Sequence, residues 1–82
     1  MDYKKPNVIK SWKIDIPEKE FYSTSIMDDQ TIVSAYGRYA HSSGSRSVSW
    51  NEFLDGKMND LVENTMGTET LNEIIQKLKT NT

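Results

Sequence analysis

Six apolar residues in the C-terminal third place the main constraint on this fold. Trp50, Phe53, Leu54, Met58, Leu61 and Val62 fall at i, i+3, i+4, i+8, i+11 and i+12, which is one stripe of a 3.6-residue helix. Ser49 and Glu52 have the spacing of a capping box, in which the serine hydroxyl and the glutamate carboxylate satisfy free N–H groups of the first turn. Val48 precedes the cap and can staple onto Phe53. Asn51, Asp55, Lys57, Asn59, Asp60 and Glu63 cover the opposite side. The pattern predicts one helix over residues 49–66, with Gly56 as an internal weak point costing about 1 kcal/mol relative to alanine. Gly67 offers a left-handed stop. Leu71, Ile74, Ile75 and Leu78 then predict a second helix over 68–79, with Thr70 and Glu73 as a second box. Lys77 and Lys79 sit where the helix dipole favours cations. Both stripes are narrow, and a helix pair alone cannot bury both. A third layer is required.

The upstream sequence supplies it. Residues 8–16 alternate, with Val8, Trp12, Ile14 and Ile16 on one face and Ile9, Ser11, Lys13 and Asp15 on the other. Residues 21–27 read as a second strand with Tyr22, Thr24 and Ile26 inward. Residues 31–40 read as a third, with Val33, Ala35, Gly37 and Tyr39 inward and Ile32, Ser34, Tyr36 and Arg38 outward. The charged turns at 17–20 and 28–30 are short, which favours an antiparallel meander. Residues 41–47 are serine- and glycine-rich and read as a flexible loop. Residues 1–7 read as a loose arm and 8–80 as a single domain. The expected fold is α+β: a three-stranded antiparallel sheet followed by two α-helices packed on one face, in the order βββαα. The expected core takes Trp12, Ile14, Ile16, Val33 and Ala35 from the sheet. From the helices it takes Phe53, Leu54, Met58, Leu61, Leu71, Ile74, Ile75 and Leu78.

Charge and length narrow the function classes. Eighty-two residues make one small domain, burying only roughly 60% of its unfolded surface. The net charge is −2, with 10 basic and 12 acidic residues; residues 1–48 carry +1 and residues 49–82 carry −3. Such balance argues against a strong polyanion binder and against a DNA mimic. No cysteine is present, so disulfides, thiolate metal sites and a cysteine nucleophile are excluded, and a cytoplasmic location is expected. No stretch has the apolar length of a membrane span, and the first residues lack the pattern of a signal peptide. Eight lysines against two arginines, with abundant Asn, Ile and Thr, suit an AT-rich bacterial, phage or mobile-element genome.

Catalytic signatures are missing. His41 has no ligand partner three or four residues away, so zinc is not expected. No Gly-x-Ser-x-Gly elbow occurs, and Gly37, Gly44, Gly56 and Gly67 form no phosphate loop. Asp28 and Asp29 read as a solvated turn. The chain is expected to be no enzyme and to need no cofactor or metal. It reads instead as a protein-binding regulator or inhibitor. The candidate surface is the outer sheet face with Tyr36, Arg38 and Lys13, joined by Ser43 and Arg46 of the serine-rich loop. The alternative is a weak nucleic-acid-binding domain, with Tyr36 or Tyr39 stacking on bases and Lys10, Lys13, Arg38 and Arg46 meeting phosphates. The edge of the third strand is also a place where a homodimer could form.

Overall fold

The computed structural model describes residues 5–38 and 43–81. Its elements are β1 (Val8–Ile16), β2 (Glu20–Met27), β3 (Thr31–Arg38), β4 (Ser43–Ser49), α1 (Trp50–Leu54), α2 (Asn59–Met66) and α3 (Thr68–Asn81). The fold is α+β, but the described residues form four strands and three helices, not the expected three and two. The four strands make one antiparallel sheet in the order β1-β2-β3-β4, and the helices pack on one face of it.

The additional strand comes from the serine-rich stretch. Its composition has little to bury, yet its backbone pairs with β3 from Thr31↔Ser49 to Gly37↔Ser43. Ladder hydrogen bonds need N–H and C=O groups rather than apolar side chains, so composition did not reveal the strand. β4 also covers the β3 edge, which removes that edge as a dimer site. Residues 1–4 of the expected arm over 1–7, the strand end at Tyr39 and Ala40, and the loop histidine His41 lie outside the described residues.

The additional helix comes from a break in the first stripe. Gly56 adopts φ 111° and Met58 φ 66°, both in the left-handed region, between α1 and α2. With its amide turned so that the nitrogen faces them, the Asn59 side chain donates across the gap to the Phe53 carbonyl at 3.0 Å and the Lys57 carbonyl at 3.2 Å. The stripe nevertheless keeps its face across the break. Trp50, Phe53, Met58, Val62 and Met66 are buried, while Leu54, the last residue of α1 and expected in the core, is exposed.

Register decides the two sheet faces, because directly opposed residues share a face. Trp12, Thr24, Ser34 and Arg46 form one row across the sheet, and Ile14, Tyr22, Tyr36 and Gly44 form the next. Both rows lie on the helix side. Ile32 and Ser34 are therefore inward, and Val33 and Ala35, expected inward, lie on the uncovered face. The 28–30 turn, with Gln30 at φ 67°, pairs Ile26 with Ile32 and so fixes the phase of β3. Ile26, Ile32, Phe53, Val62, Ile74 and Leu78 are fully buried, and Ile16 is not in the core. The two buried polar residues, Thr24 and Ser34, face each other with their hydroxyls 3.3 Å apart; Thr24 Oγ1 also lies 3.1 Å from Met66 Sδ. Trp50 Nε1 donates to the Thr31 carbonyl at 3.1 Å, and Trp12, half-buried, donates to Glu73 Oε2 of α3 at 2.9 Å.

Candidate functional site

The helices leave one end of the sheet uncovered on their own side. There the row Ile14–Tyr22–Tyr36–Gly44 forms a ledge. Ile14 and Tyr22 are half-buried against the core, whereas Tyr36 is 36% exposed and Ile16, one row further out, 37%. The ledge ends in a polar rim. Glu20 sits opposite both Ile16 and Arg38, and its carboxylate lies 3.9 Å from Arg38 Nε. The Glu20 carboxylate also accepts a hydrogen bond from the Tyr22 hydroxyl, which raises that phenol above its ordinary 10.0. Partial burial adds to the rise, and the Arg38 charge opposes it.

Two glycines shape this end. A β-carbon built at Gly44 would lie 3.1 Å from Tyr36 Oη and 3.2 Å from its ring. Tyr36 therefore lies down over β4 instead of standing into solvent. On the reverse face, a β-carbon at Gly37 would lie 2.7 Å from the Phe21 ring. Phe21 and Tyr36 thus each occupy the space above a glycine on the neighbouring strand, one on either side of the sheet.

The five residues singled out from the sequence do not share a surface. Tyr36, Arg38 and Arg46 are on the helix side, with Tyr36 and Arg38 adjoining the ledge and Arg46 one row beyond, opposite Ser34. Lys13 and Ser43 are on the reverse face, opposite Ser23 and Gly37. Reversing β3 is what separates them. The ledge residues Ile14, Ile16, Tyr22 and Glu20 were missed because alternation assigns them a face but does not say how far the helices reach along it.

An open concavity of about 390 Å³ between β1 and α3 is lined by Lys10, Asn72, Glu73, Gln76, Lys77 and Thr80, and Lys10 Nζ stands 5.3 Å from the centre of the Trp12 ring. Among the described residues no three of His, Cys, Asp and Glu converge to hold a metal ion, and no helix is long and apolar enough to cross a membrane. A scan against protein-family models finds no match, and searches of curated proteins and of solved structures find none either.

Proposed function

We propose that this protein acts without catalysis, as a small regulator or inhibitor that presents a surface to another protein. The observation that carries the reading is the ledge: half-buried Ile14 and Tyr22 continuing into the exposed Ile16 and Tyr36, with the Glu20–Arg38 pair at the rim. An exposed apolar patch with a polar border is the usual signature of a protein contact. Tyr36 brings a large rigid ring held flat over Gly44, so little side-chain freedom is lost when a partner covers it. The fitting partner presents an apolar knob flanked by a group able to hydrogen-bond Arg38 or the Tyr36 hydroxyl. The nucleic-acid reading has less behind it, because Lys13 faces away from Tyr36, Arg38 and Arg46, and Lys10, though on their face, lies over Trp12 beside α3, away from Tyr36.

The test is affinity capture from a lysate of the source cell, with mass spectrometry of what is retained. Wild-type protein should retain a defined partner, and a folded Ile16→Ser/Tyr36→Ala variant should lose it. Equal capture by both would remove the ledge from consideration. Retention on heparin resin at low salt that disappears by moderate salt would favour the nucleic-acid alternative, since counterion release makes weak phosphate contacts fail as salt rises.

A further inference from the structure

The sheet has two edges, and they differ. The outer edge of β1 is guarded: its register shifts between Val8 and Lys10, Lys10, Lys13 and Asp15 put charges along it, and Pro17 follows. Irregularity, charge and proline are the usual protections against edge-to-edge pairing. β4 has none of these except Arg46. It runs Ser-Gly-Ser-Arg-Ser-Val-Ser in unbroken register with β3.

The direction of its free backbone groups can be worked out. Trp50 N–H donates to the Gln30 carbonyl at 2.9 Å, and 30 and 50 are opposed when the β3–β4 register is continued. Even-numbered β4 residues are therefore the hydrogen-bonded partners of β3. By the alternation of an antiparallel ladder, Ser43, Ser45 and Ser47 turn their N–H and C=O groups outward.

We infer that β4 pairs with β4 of a second copy of this chain, antiparallel, about a two-fold axis at Ser45, giving one continuous eight-stranded sheet. A two-fold requires that a strand be complementary to itself, and this register is. Ser45 opposes Ser45, Ser43 opposes Ser47, and the outward groups of all three close about six backbone hydrogen bonds. Arg46 then lies opposite the second copy's Gly44, beside the Tyr36 ring that covers that glycine. Centring the axis on Arg46 instead would set two like charges directly against each other, which is unfavourable. The small, exposed serines at 43, 45 and 47 leave nothing to clash between the chains. This pairing does not depend on the ledge having a partner; it would place two ledges on the same face of the dimer.

The chain has no cysteine, so single serine-to-cysteine changes report the register cleanly. Opposed residues in a hydrogen-bonded antiparallel pair have Cα atoms about 5.5 Å apart, within disulfide range. Ser45→Cys should crosslink to itself under mild oxidation. Ser43→Cys should not, because its twin would lie roughly 13 Å along the ladder, yet it should crosslink when mixed with Ser47→Cys. Light scattering of the unmodified protein should give twice the 9.4 kDa chain mass. A monomer by light scattering would overturn the inference. So would self-crosslinking of Ser43→Cys equal to that of Ser45→Cys, or no crosslink at position 45.

Discussion

Gly37, one residue from the end of β3, and Gly44, one residue from the start of β4, do different work. At Gly37 an added methyl would stand 2.7 Å from two Phe21 ring carbons and 2.9 Å from the Ser43 β-carbon, so something on either side must move. Gly37→Ala should therefore lower unfolding stability by roughly 1–3 kcal/mol, the usual range for overpacking, read from urea melts. At Gly44 the nearest atoms are 3.1–3.3 Å away and belong to one tyrosine, which can lift by a few tenths of an ångström. Gly44→Ala should cost visibly less, and it should raise the exposure of Tyr36. In the sequence Gly37 reads as a small inward residue of the third strand and Gly44 as part of a flexible loop. What each one faces was not legible, because that is set by the pairing of β3 with β2 and β4, and a single strand's alternation carries no information about its neighbour's register.

Among the elements, α1 was the most legible at its start and the least at its end. Ser49 Oγ accepts from Glu52 N–H at 3.1 Å, and Glu52 Oε1 accepts from Ser49 N–H at 3.0 Å, the box that the spacing predicts. The signal is local, so the sequence contains all of it. The Ser49 N–H, followed by Lys57, holds the Glu52 carboxyl below its ordinary 4.5. A lowered folded pKa means stability that is present above about pH 4.5 and is lost as pH falls below it, through the folded value. Thermal melts across this range should show the loss, and Glu52→Gln should flatten it. Ser49→Ala should remove about 1 kcal/mol at neutral pH. The end of α1 was hidden by the continuity of the apolar stripe. Buried residues persist through Met58 and Val62 on the predicted stripe, but they do so across a left-handed Met58, and only Leu54 leaves the core. β4 was hidden for the opposite reason, since a strand held by backbone pairing, with Val48 alone packed on the core, leaves no apolar pattern to read.

The whole molecule is a slab 37 by 37 by 18 Å, a sheet with one layer of helices on it. That stacking was legible, because two narrow helical stripes demand a broad apolar partner and only the alternating N-terminal half can provide it. How far the helices extend over the strands was not, and the ledge owes its existence to that extent. Between the layers, Met66 places its sulfur against the Thr24 hydroxyl at 3.1 Å, under a residue that is itself fully buried. Peroxide can reach that thioether only when the roof lifts away from the strands, whereas Met27 lies on the uncovered side. Peptide mapping after timed peroxide exposure should find Met27 converted to sulfoxide well before Met66. The lag between them then becomes a clock for the breathing of the protein, and a bound visitor that clamps the two layers together should slow it.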